Sequence, residues 1–73
     1  LVIPKFHVAG LADLTDTSIM ADIYDATLKI VEQIGIKKTG FRTVINTGQE
    51  GGQTVFHLHL HILGGSQLSG KFG

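Results

Sequence analysis

The run His57-Leu58-His59-Leu60-His61-Ile62-Leu63 alternates imidazole and aliphatic side chains without a break up to its last residue. In an extended strand successive side chains point to opposite faces. This run therefore predicts His57, His59 and His61 on one face and Leu58, Leu60 and Ile62 on the other. The aliphatic face needs an apolar partner, which makes the run one strand of a sheet packed on something else. Three of the chain's four histidines stand in this row. A purely structural face is built from simpler polar residues or from apolar ones, so the row is a candidate for chemistry. A lone histidine such as His7 carries no such implication.

Upstream of the run, Gly48-Gln49-Glu50-Gly51-Gly52 reads as a hairpin loop whose glycines permit positive φ. Phe41-Arg42-Thr43-Val44-Ile45-Asn46 reads as the strand before it. Further back, Ile19, Ile23, Ala26, Ile30 and Ile34 recur at helical spacing and make one apolar stripe, widened by Met20, Tyr24, Leu28 and Val31. Asp22, Asp25, Lys29 and Glu32 fall on the wetter side, and Gly35 is a natural stop. Asp13, Thr15, Asp16 and Thr17 are all suitable N-caps. Residues 1–8 are β-prone but broken by Pro4, which places that strand at a sheet edge or ends it. The expectation is an α+β domain, an antiparallel sheet with one main helix. Its strands lie near 1–6, 41–47 and 54–63, and its helix near 18–34 packs its stripe on the Leu58/Leu60/Ile62 face. The tail 66–73, apolar only at Leu68 and Phe72, is expected to lack regular structure.

Seventy-three residues with 42% apolar content suit one small domain with a thin core, so 1–73 is read as a single domain. No cysteine is present to brace it or to bind a metal as thiolate. Six basic residues balance six acidic ones, with no basic run, which argues against a nucleic acid polymer as partner. A single nucleotide remains within reach, because a pocket can hold one phosphate with amides and a histidine. No segment approaches the roughly 20 apolar residues of a membrane helix, and no signal-peptide pattern opens the chain. The chain starts directly on Leu1-Val2-Ile3-Pro4 without methionine, as expected of a piece of a longer protein.

Two kinds of chemistry compete for the histidine row. Metal binding is limited by geometry, since His57 and His61 would stand about 13 Å apart at a strand's rise. Metal–imidazole bonds of roughly 2 Å cannot close that gap. The only carboxylate near the row in sequence is Glu50. Acid–base or nucleophilic catalysis fits better. Imidazole titrates near neutrality, so one neutral ring can attack while a charged neighbour steadies an anion. Backbone amides around Gly51, Gly52 and Gln53 are candidates to face a phosphate.

The stretch from Asn46-Thr47-Gly48 through Gly51-Gly52-Gln53-Thr54-Val55-Phe56 to His57-Leu58-His59-Leu60-His61-Ile62-Leu63-Gly64-Gly65 closely resembles the histidine triad (HIT) family. The family signature, His-φ-His-φ-His-φ-φ with φ apolar, is met at every position. Leu1-Val2-Ile3-Pro4-Lys5-Phe6-His7 resembles the family's preceding strand, so the likeness covers nearly the whole chain. Gly64-Gly65 is similar to the Hint branch, the nucleoside phosphoramidases, where the Fhit branch continues Pro-Arg. The galactose-1-phosphate uridylyltransferase branch has glutamine at the position of His61.

The resemblance implies a HIT-like fold lacking its N-terminal segment, the chain being the C-terminal portion of the domain. It also implies a hydrolase acting on purine nucleoside monophosphate derivatives such as phosphoramidates, through a covalent nucleotidyl-histidine. By position, His59 matches the nucleophile, His57 the residue that orients it, and His61 the phosphate contact. Asn46, Gly52, Gln53 and Thr54 match phosphate- and leaving-group-binding positions, with Thr54 and Asn46 expected to reach an anion over His59. His7 matches a flanking histidine. No cofactor and no metal are implied, and the expected setting is cytoplasmic, away from membranes. The resemblance further implies a homodimer with the 41–45 strand and the helix near the contact. The ending lacks the Trp-containing tail of animal Hint proteins, which points to a bacterial source. Hydrolysis of dinucleoside polyphosphates and non-catalytic nucleotide or metal binding are the alternatives.

Overall fold

Helix-forming periodicity becomes a helix at Thr17–Gln33 (α1) in the structure, a computed structural model that describes residues 1–70. Of the four candidate caps, Asp16 is the one used. Its Oδ1 accepts from the Ser18 hydroxyl at 2.7 Å and from the Ser18 amide at 3.0 Å, satisfying one of the orphan N–H groups of the first turn. Those two bonds hold the Asp16 carboxyl below the usual carboxylate range. The other end closes on Gly35 at φ +79, with Gly35 N–H donating to Glu32 O and Ile36 N–H to Val31 O. This paired closure needs a left-handed residue, which glycine supplies without the roughly 1–2 kcal/mol that a side chain would cost.

Phe41–Val44 (β1) and His61–Gly64 (β2) form a two-stranded antiparallel sheet, with Phe41 opposite Gly64, Thr43 opposite Ile62 and Val44 opposite His61. On the far side of β2, Val2 and Leu60 exchange both backbone hydrogen bonds, at 2.8 and 2.9 Å. The architecture is the expected α+β class, but its strands are shorter than the alternation suggests.

The predicted 1–6 strand is reduced to the single bridge at Val2. A regular ladder would next bring Pro4 opposite Leu58, and Pro4 has no N–H to give. The chain instead extrudes residues 4–7, and Val8 O accepts from Leu58 N at 2.7 Å. The predicted 41–47 strand stops at Val44, and the predicted 54–63 strand begins only at His61. Between them, backbone groups of 48–53 bond within a tight turn rather than across a ladder. Of the expected tail, residues 66–70 are without helix or strand, as expected, whereas 71–73, including Phe72, lie outside the described residues.

The core is where the pattern placed it. Leu58 (1% exposed), Leu60, Ile23 and Val2 form one buried cluster, with Ile19, Met20, Ala26, Ile30 and Ile62 packed against it. Ile34 departs from the stripe at 61% exposed, because it is the C-cap and lies beyond the last turn that faces the sheet. Val31, one of the residues expected to widen the stripe, is fully buried. No helix among the described residues is long and apolar enough to cross a membrane.

The depressed Asp16 carboxyl gives the cap a definite pH dependence. A carboxylate held low contributes stability above its unfolded titration range and loses it as pH falls through the depressed value. Urea unfolding should therefore show Asp16→Ala less stable than the parent at neutral pH, with the gap between the two midpoints narrowing under acid. A gap that stays constant down to strongly acid pH would refute the ionised cap.

Candidate active site

Burial of Leu58 and Leu60 leaves His57, His59 and His61 half-buried on the opposite side, although only His61 lies within a regular strand. The alternation thus survives the loss of the ladder. Rotating any of these residues by one position would put a leucine in water and an imidazole in the core.

The rings are held in a chain of contacts. His59 Nδ1 lies 2.6 Å from His57 O. A carbonyl only accepts, so His59 donates from Nδ1, and its neutral ring carries its lone pair on Nε2. His57 Nε2 lies 3.1 Å from Pro4 O, so it too is a donor. The neutral His57 ring therefore has its lone pair on Nδ1, which meets His7 Nδ1 at 3.0 Å and takes a hydrogen from it. The His7 and His57 rings stand edge to face at 4.9 Å, and those of His59 and His61 do so at 5.0 Å. The extruded 4–7 segment has a visible consequence here. It returns His7 to His57 and turns the Pro4 carbonyl toward the same ring.

The loop before the row is organised by Gln53, 6% exposed. Its Oε1 accepts from Gly48 N at 2.9 Å, while its Nε2 donates to Ala9 O at 2.6 Å and to Val55 O at 3.1 Å. The Gly52 and Gln53 amides donate to Gln49 O and Gly48 O, so those two serve the turn, where the sequence suggested that they face a phosphate. Gly51 is required by space, since a Cβ there would lie 2.2 Å from Thr47 O. Gly52 and Thr54 are exposed and Asn46 is half-buried. The expectation that Asn46 and Thr54 sit on paired strands fails, since both lie in the open stretch between β1 and β2. Continuing the register past Val44 would set Asn46 opposite His59, but the ladder ends first.

His7, His57, His59 and His61 are therefore brought together by the contacts above, and Gln53 is committed to backbone partners. Three contributors escaped the sequence reading: the carbonyls of Pro4 and His57, which orient rings, and Gly10, packed beside Gln53. A backbone oxygen has no sequence signature, and Pro4 was legible only as a strand breaker. A large cleft of about 920 Å³ between residues 2–9 and the first half of α1 includes His7 but none of the row. Among the described residues, no group of three or more His, Cys, Asp or Glu is placed to hold a metal ion.

The chain is similar in sequence and in fold to known proteins. The family model of the HIT domain matches residues 1–68. An uncharacterized HIT-like protein of Chlamydia muridarum is 44% identical over 70 residues, covering 93% of this chain and 55% of that protein. A second, from Synechococcus elongatus, is 45% identical over 71 residues, covering 94% and 61%. Among solved structures, a histidine triad protein from Clostridium difficile superposes with a TM-score of 0.91 at 40% identity, covering 96% of this chain and 63% of that one. A HIT family hydrolase from Legionella pneumophila gives 0.89 at 38% identity, covering 93% and 62%. The chain thus spans about three fifths of the length of the proteins it matches.

The ring geometry predicts a spectrum. In ¹⁵N-edited NMR of the neutral rings, His59 should show the Nδ1–H tautomer and His57 the Nε2–H tautomer. An Nε2–H signature for His59 would contradict the carbonyl contact that orients it.

Proposed function

The chain belongs to the HIT domain family, and from that premise we propose that it is the catalytic part of a nucleoside phosphoramidase working through a nucleotidyl-histidine. The observation that carries this reading is the 2.6 Å bond from His59 Nδ1 to His57 O. With its hydrogen held there, the ring presents Nε2 as a lone pair with no competing tautomer, which is what a nitrogen nucleophile needs.

In the proposed reaction His59 Nε2 attacks the phosphorus of a purine nucleoside 5′-phosphoramidate. The P–N bond breaks and the amine leaves with a proton taken up from solvent. Water then attacks the nucleotidyl-histidine and returns a proton to solvent, the N–P bond to His59 breaks, and a nucleoside monophosphate departs with the ring restored. His57 orients the nucleophile through its backbone oxygen. His61, whose ring stands 5.0 Å from that of His59, contacts the phosphate. Asn46, Gly52 and Thr54 serve as further phosphate or leaving-group contacts, and His7 supports His57. The names of similar structures, hydrolases among them, support a hydrolytic outcome. Gly64-Gly65 after the row supports an amine over a nucleotide as the leaving group. The reading includes a cytoplasmic setting.

It extends to a homodimer. Tyr24 is 62% exposed. It borders an apolar cavity of about 200 Å³ with Met20, Leu28 and Phe41, against β1, whose edge away from β2 pairs with no other strand among the described residues. An apolar surface of this kind next to a strand with one edge open favours association.

Assays of a His59 variant, mass spectrometry and light scattering test this reading. In the full-length protein, His59→Ala should abolish release of amine from an adenosine 5′-phosphoramidate while AMP still binds, and mass spectrometry of the quenched parent should place the adduct on His59. An adduct on His57 or His61, faster turnover of a dinucleoside polyphosphate, or binding without turnover would each replace the assignment. Light scattering at micromolar concentration should give the mass of two chains, and a monomer would end the dimer proposal.

A further inference from the structure

Gln53 falls where the family resemblance implies a phosphate or leaving-group contact, yet its side chain is buried and both ends are occupied. The amide has two hydrogens and both are donated, to Ala9 O and Val55 O. Its oxygen accepts from Gly48 N–H. Turning the group toward a substrate would leave two carbonyls and an amide without this partner in a partly buried place, at a cost in each case. Its surroundings are fitted to it as well. Gly10 is buried against the amide, where a Cβ would lie 3.1 Å from Oε1 and 3.6 Å from Nε2. Gly10 has φ −159, an extended backbone open to any residue, so it is the amide's space that favours glycine there.

What the amide joins is informative. Ala9 follows Val8, whose carbonyl holds Leu58, and lies two residues after His7, whose ring meets His57. Val55 lies two residues before His57, and Gly48 opens the turn that leads to Thr54. One side chain therefore ties the His7 segment, the glycine turn and the start of the histidine row together. We propose that Gln53 is a positioning residue that contacts no substrate and holds the His7 segment against the histidine row, keeping the His7–His57 and His57–His59 contacts aligned. The effect on turnover rests on the reading of His59 as nucleophile. The alignment itself does not.

The experiment uses the full-length protein with Gln53→Ala, Gln53→Glu and Gly10→Ala. Gln53→Glu keeps the shape but, ionised, sets acceptors against the Ala9 and Val55 carbonyls. Gly10→Ala presses on the amide while leaving all its hydrogen bonds available, so it remains informative where a Gln53 variant fails to fold. Each is measured for kcat and KM on an adenosine 5′-phosphoramidate with a fluorescent amine, for AMP affinity by calorimetry, and for histidine tautomers by ¹⁵N NMR. Both Gln53 variants should lose roughly tenfold or more in kcat, as small misplacements of reacting groups do, while AMP affinity changes much less. Their His57 and His59 tautomers should become mixed. Gly10→Ala should lose less, and should add nothing to Gln53→Ala. AMP affinity falling by the same factor as kcat would make Gln53 a substrate contact, and unchanged kcat with unchanged tautomers would make it irrelevant to the site. Either result overturns the proposal. If the parent turns over no nucleotide substrate, the enzymatic reading fails, and the tautomer spectra alone decide whether Gln53 positions the rings.

Discussion

Burial of Leu58 and Leu60 against Ile23 and Val2 is the constraint on which the other features depend. Each leucine withdraws its side chain from water, worth on the order of 1.5–3 kcal/mol, and a core leucine cut to alanine typically costs about 2–5 kcal/mol. In a chain with so few buried side chains these two weigh heavily. Because the residues between and beside them point the other way, the same burial turns His57, His59 and His61 outward together. The site is the reverse side of the core.

Backbone hydrogen bonding then decides how the outward rings are held. The histidine segment pairs with β1 only from His61 onward, and on its other side Leu60 exchanges two bonds with Val2 while Leu58 N–H donates to Val8 O. The four residues extruded around Pro4 break what would be a ladder. In exchange they supply a carbonyl to His57 and return His7 to its ring. A straight strand there would satisfy more backbone and place neither group. The loss of regular structure is local, and it falls where ring orientation is set.

The loop between β1 and the row is ordered by different means. Gly52 and Gln53 close their amides on Gln49 and Gly48, and the Gln53 side chain fastens the turn to Ala9. Gly51 leaves no room for a side chain beside Thr47 O. Such a loop is held by directional bonds more than by packing, so single changes at these positions disturb geometry before they disturb the core.

The residue order by itself determined the face assignment of the histidine row, the span and apolar stripe of α1, its glycine stop and the α+β class. Each follows from a local period or a backbone preference that neighbouring residues express wherever the segment sits. The HIT membership was legible too, because the row and its glycine-rich approach are contiguous. Only the tertiary structure decided which strand positions keep their ladder, that Asp16 caps the helix, that Ile34 ends up outside the stripe, and that Gln53 serves the backbone. It also decided the ring tautomers, through the carbonyls of Pro4 and His57. Carbonyls are common to every residue, so nothing in the letters marks the two that matter. The Pro4 carbonyl reaches its ring only because segments 53 residues apart meet around a shared core, and the His57 carbonyl reaches His59 only because the row leaves its ladder there.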